Sequence, residues 1–155
     1  MVEQVLHEGD DRPRSTAKIF GHPIHPMLVP FPIAFWIGAL ITDIIYSRTA
    51  DVQWTNFSQW LLFGGLVFGA LAAVAGITDY LGDRRVRSHA ASAHGGINIV
   101  VFIIQIFNSF VHARDGWTSV VPTGLTLSII AVLLLAVSGW LGGTLVYKQG
   151  VGTPR

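Results

Sequence analysis

Apolar residues in this chain gather into four blocks, roughly 27–46, 60–80, 90–111 and 121–147. Each is long enough for a helix that crosses hydrocarbon, which needs about 20 residues. No ten-residue alternation of apolar and polar positions repeats, so a barrel of strands is not indicated. The pattern predicts an all-α, integral membrane four-helix bundle spanning residues 20–152. The stretch 1–19 before it carries Glu3, Glu8, Asp10, Asp11, Arg12 and Arg14. Lacking an apolar core of its own, it is expected to be a mobile tail, neither a signal peptide nor a span. The fourth block exceeds the length of a span, so it either tilts or leaves the hydrocarbon early at Gly139–Gly143.

Charge orients the bundle. Arg12, Arg14 and Lys18 precede span one, Arg84, Arg85 and Arg87 separate spans two and three, and Lys148 and Arg155 follow span four. Only Arg48 and Arg114 fall on the other side. Short basic connections stay in the cytoplasm, so both termini are expected there. Trp54, Trp60, Trp117 and Tyr46 then form the outer aromatic belt, with Tyr80 and Tyr147 at the inner face.

Composition removes whole classes of function. The chain is 51% apolar and 12% charged, against about 25% charge in an ordinary soluble domain. There is no Cys, which excludes thiolate metal sites and thiol catalysis. A net charge of +1 gives no concentrated basic surface for nucleic acid. No Ser–His–acid motif or H-E-x-x-H pattern points to a hydrolase.

Small residues recur at helix-packing spacing: Gly65/Gly69 and Ala72/Gly76 in span two, Ser138/Gly142 and Gly139/Gly143 in span four. Such pairs let backbones approach closely in lipid, within one bundle or between the subunits of a homodimer.

The chemistry lies in the polar residues within the membrane, each costly there and each a site candidate. At about 100° per residue, His94, Asn98, Gln105 and His112 of span three fall within about 40°, and Asn108 widens the arc to about 80°. This stripe either joins helices by hydrogen bonds or lines a polar path. A second group gathers at the inner end: His22 and His25 in Gly21-His22-Pro23-Ile24-His25-Pro26, Asp79 ending span two, and His89 and His94 opening span three. Neutral imidazole ligates metals and haem iron, and a nearby carboxylate fixes the tautomer. The prolines stiffen the segment that presents His22 and His25. At the outer end, Asp43 and His112 are expected to form a structural ion pair in preference to a site.

The segment Phe20-Gly21-His22-Pro23-Ile24-His25-Pro26-Met27-Leu28-Val29-Pro30-Phe31-Pro32-Ile33, with Gly76-Ile77-Thr78-Asp79-Tyr80, His94 with Asn98, and the end from Gly139 to Gly152, resembles a bacterial membrane family labelled only as domain of unknown function 2231. The resemblance covers roughly 20–152 and implies a four-helix protein of the bacterial inner membrane. It also implies a Rieske-type or other electron-transfer partner, since some relatives are fused to such domains. Some members carry a further His where this chain has Pro30, so one possible ligand is missing here.

Three functions follow as expectations. The first is a membrane redox or metal-binding protein with haem b or a transition metal near the cytoplasmic face, held by His22, His25, His89 and His94, with Asp79 and Asn98 beside them. The second is an ion or proton conduit along the span-three stripe, although no inverted repeat supports a transporter. The third is a structural subunit without cofactor.

Overall fold

The computed structural model describes residues 12–113 and 120–153. A two-residue hairpin, β1 (Lys18–Ile19) and β2 (His22–Pro23), leads into α1 (Ile24–Leu28) and α2 (Pro30–Thr49). Then come α3 (Val52–Gly82), a 3-10 turn (Arg84–Val86), α4 (His89–Val111), a wide turn (Val120–Gly124) and α5 (Leu125–Tyr147). Four helical stretches, Ile24–Thr49, Val52–Gly82, His89–Val111 and Val120–Tyr147, are long and apolar enough to cross a membrane. About 81% of the described chain is helical. The expected four-span, all-α membrane bundle is the fold observed.

Local chemistry sets the boundaries. Pro30 has no N–H to return to Pro26, so α1 and α2 part there in hydrogen bonding while Val29 keeps helical angles (φ −54°, ψ −37°). Ala50 takes a left-handed conformation (φ 54°) that reverses the chain, and Asp51 then caps α3 by accepting the Gln53 N–H at 2.9 Å. That cap starts α3 eight residues ahead of the apolar block at Trp60, because polarity does not stop a helix. At 31 residues it runs about 46 Å, beyond the hydrocarbon at one or both ends. The Arg87 guanidinium closes its far end, donating to the Tyr80 and Leu81 carbonyls at 2.9 and 3.0 Å. Ser88 caps α4 through the Ala91 N–H.

The helix α2 packs against α3 and α5, and α4 against α5 and α3, leaving α2 and α4 on a diagonal. One end, here the tail end, gathers the start of the chain, the 83–88 turn and the residues after α5. There the Gly152 N–H donates to the Pro13 carbonyl at 3.4 Å. The loop end carries the 50–51 turn, His112 and the Val120–Gly124 turn. Met1–Asp11 lies outside the described residues, but the remainder of the expected tail is held: Arg12–Ile19 lies along the tail end.

The interior mixes small and polar side chains with a few large apolar ones, and most of the large apolar side chains point outward. A compact apolar layer of Trp36, Ala39, Leu62, Val101, Ala131 and Leu135 crosses the middle of the bundle. Ile41, Phe63, Leu71, Val74, Ile99, Phe107 and Leu133 are exposed, the arrangement suited to a lipid solvent. The glycines of the packing motifs act as seats for rings. Gly65 lies against the Trp36 indole, Gly76 against His25 and Gly142 against His94. A methyl group at Gly139 would meet nothing within 4 Å, and this glycine belongs to the outer surface.

Gly65→Ala is expected to destabilise the bundle by about 1–3 kcal/mol, because its methyl would occupy the place of the buried Trp36 ring. Thermal unfolding in mild detergent checks this; an unchanged midpoint would mean that the indole shifts freely.

Candidate functional site

The span-three stripe faces the bundle, and the apolar layer divides it. Val101, fully buried on the same face, separates His94 and Asn98 from Gln105, Asn108 and His112. Two polar clusters result.

The loop-end cluster centres on Asp43 of α2, which is fully buried. Its Oδ1 accepts from Ser58 Oγ of α3 at 2.6 Å and faces His112 Nε2 at 2.9 Å. Its Oδ2 accepts from Ser128 Oγ of α5 at 2.6 Å. One carboxylate therefore reaches the other three spans. His112 Nδ1 donates to the Asn108 carbonyl at 2.8 Å, since a carbonyl only accepts. The Asp43–His112 contact consequently holds a single proton between Oδ1 and Nε2. Asn108 Nδ2 donates onward to Ser128 Oγ at 2.9 Å and to Gln105 Oε1 at 3.2 Å. Gly124 makes room for the His112 ring. The expected contact of Asp43 with His112 is present.

The tail-end cluster brings two of the candidate histidines together. His25 of α1 and His94 of α4 have ring centres 6.1 Å apart and planes at 85°. His25 Nδ1 donates to the Ala72 carbonyl of α3 at 2.7 Å. His94 Nδ1 lies 3.0 Å from both the carbonyl and the hydroxyl of Ser138 on α5. Because each Nδ1 faces a carbonyl, each neutral ring carries its lone pair on Nε2. Asn98 Nδ2 lies 3.2 Å from His94 Nε2, and closer to the His94 carbonyl (2.9 Å) and Ser138 Oγ (2.7 Å). Those two nearer acceptors engage both amide hydrogens without the imidazole.

The other candidates lie elsewhere. His22 is exposed on the hairpin and His89 is exposed at the first turn of α4. Asp79, instead of standing beside an imidazole, binds the start of the chain. Its Oδ1 accepts the Thr16 and Ala17 N–H groups at 2.7 Å each and Ser15 Oγ at 2.9 Å. Asp83 extends this clasp by accepting the Arg14 N–H at 2.8 Å. The Arg85 side chain hydrogen-bonds Asp83 at 2.9–3.2 Å and holds its carboxyl below the usual carboxylate range. Among the described residues, no three His, Asp or Glu side chains come together as an ion held by protein ligands alone requires. Sequence reasoning did not single out Ser58 and Ser128, and it read Ser138 only as a small packing residue. Serine in a span looks like packing until its partner is known.

The chain belongs to the family described as predicted membrane protein DUF2231, whose model matches residues 21–155. No curated protein and no solved structure matches it.

Two outcomes are expected. Asp43→Ala removes the shared partner of Ser58, Ser128 and His112 and is expected to cost about 3–5 kcal/mol, whereas Ser128→Ala removes two bonds between spans, to Asp43 and from Asn108, and costs about 1.2 kcal/mol at the average of about 0.6 kcal/mol each. Unfolding in detergent ranks the two; equal effects would mean that Asp43 is not the hub. The Asp83 contact is complete above the ordinary carboxylate range and is lost as pH falls through its lowered folded-state value. The Arg14 amide resonance is expected to report that low midpoint, and Arg85→Ala to move it upward. A midpoint indifferent to Arg85 would remove the guanidinium as the cause.

Proposed function

We propose that this family member is a membrane redox or metal-binding protein whose ligand pair is His25 and His94, placed by the charge pattern near the cytoplasmic face of a bacterial inner membrane. The observation that carries this reading is the shared orientation of the two rings. In both, a backbone carbonyl holds Nδ1–H and leaves Nε2 as the free base, the arrangement that metal-ligating histidines ordinarily adopt. The carbonyls belong to α3 and α5, so all four spans fix the pair.

Ligand number favours haem b over a bare ion. Zinc takes three or four protein ligands, and only two imidazoles meet here, so His25 and His94 would hold a haem iron, which asks the protein for no more than two. The two ring centres lie 6.1 Å apart, close enough for both imidazoles to serve one centre. His22 and His89 are then interfacial residues, and Asn98, bonded to the His94 carbonyl, stands beside the centre. A bound haem would supply one-electron chemistry, with an electron-transfer partner at the tail end. The apolar layer between the clusters speaks for two separate roles and against a continuous conduit.

The test is an absorption spectrum and metal analysis of the chain purified in mild detergent, followed by titration with haemin and, separately, with Co(II). We expect one haem per chain with a low-spin, two-imidazole spectrum. His25→Ala and His94→Ala are each expected to abolish that spectrum, and His112→Ala to leave it intact. Full haem binding by the His94 variant, or binding of neither probe by the folded wild type, would overturn the reading.

A further inference from the structure

The hairpin before span one carries a cost that nothing inside the protein offsets. Lys18 pairs with Pro23 and Ile19 with His22, so Phe20 and Gly21 alone make the turn. Both have positive φ, 48° and 83°. A two-residue turn of this type suits Asn-Gly or Asp-Gly; an aromatic residue in its first position is strained. Among the described residues the Phe20 ring meets no cover in return, being 98% exposed, and neighbouring Ile19 is 54% exposed. A fully exposed phenyl forgoes roughly 1.5–3 kcal/mol of burial free energy. Strain and exposure at one residue point to something outside the chain that covers it.

The position identifies the cover. The base of the hairpin is bonded straight into the first residue of the span, with the Ile24 N–H donating to the Ala17 carbonyl at 2.9 Å. The Asp79 clasp on Ser15–Ala17 fixes that base to the end of α3. At about 3.3 Å per residue the tip therefore lies roughly 7 Å from the start of the membrane-crossing helix, at headgroup depth. Lys18 stands beside it, as a cation does next to anionic headgroups. Aromatic residues favour this zone.

We propose that the Ile19–Phe20 turn is an interfacial anchor that enters the headgroup–acyl boundary of the leaflet at the tail end. It binds the lipid surface itself and holds the following segment, His25 included, at a fixed depth. The proposal does not depend on a metal or haem at His25 and His94.

Because the chain contains no Cys, Phe20→Cys gives a single attachment point for a nitroxide label, and so does Arg84→Cys at an exposed position of the 84–86 turn. Position 20 makes no packing contact, so its substitution leaves the fold intact. Each labelled protein goes into nanodiscs of phosphatidylethanolamine and phosphatidylglycerol. Relaxation by oxygen, which concentrates in lipid, is compared with relaxation by a water-soluble nickel chelate. We expect the oxygen-to-nickel ratio at position 20 to exceed that at position 84 severalfold. Equal ratios would place the turn in water and overturn the proposal. Protection from both reagents at position 20 would also overturn it, since a protein partner would then be the cover.

Discussion

Spans in a bilayer gain little from hiding apolar surface against one another, because lipid tails are as apolar as leucine. Association must come from close contact and from polar bonds, and in this bundle the two meet at Asp43. Its carboxylate leaves α2 and takes Ser58 from α3, Ser128 from α5 and His112 from the end of α4. A carboxylate in hydrocarbon is tolerable only with such partners, so the same residue that needs all three neighbours also sets their rotation and depth. The rest of the packing is consistent with that choice: Ser58, Ser128 and Ser138 inward, and most isoleucines and phenylalanines outward.

The tail end repeats the principle with different groups. Asp79 holds backbone N–H groups of the incoming chain, and Asp83, kept ionised by Arg85, holds one more. This fixes the hairpin and delivers His25 to its glycine seat against α3. His94 arrives from the opposite diagonal, steadied by Ser138. The proposed ligand pair thus follows from two independent anchorages, each made of ordinary hydrogen bonds.

Between the ends lies the buried apolar layer of Trp36, Leu62, Val101, Ala131 and Leu135, which separates the Asp43 cluster from the imidazole pair. A stripe that looked continuous on a helical wheel is therefore two sites. The interruption is Val101, whose angular position matches its polar neighbours and whose chemistry does not.

The four spans were legible from the sequence because hydropathy is a property of about 20 consecutive residues and needs no knowledge of neighbours. The inward-facing stripe was legible because it depends only on helical period. The encounter of Asp43 with His112 was also foreseen, since their depths matched. Other features depended on contacts across long separations. The clasp of Ser15–Ala17 on Asp79 joins groups more than 60 residues apart, and backbone N–H donors leave no mark in a sequence. His22 and His25 look equivalent three residues apart, yet a hairpin turns one to the outside and a helix carries the other into the bundle. The glycine pattern announced close approach but not that rings would fill it. Length, period and charge belong to one strand of sequence at a time; which donor finds which acceptor is decided only when four helices share a cross-section.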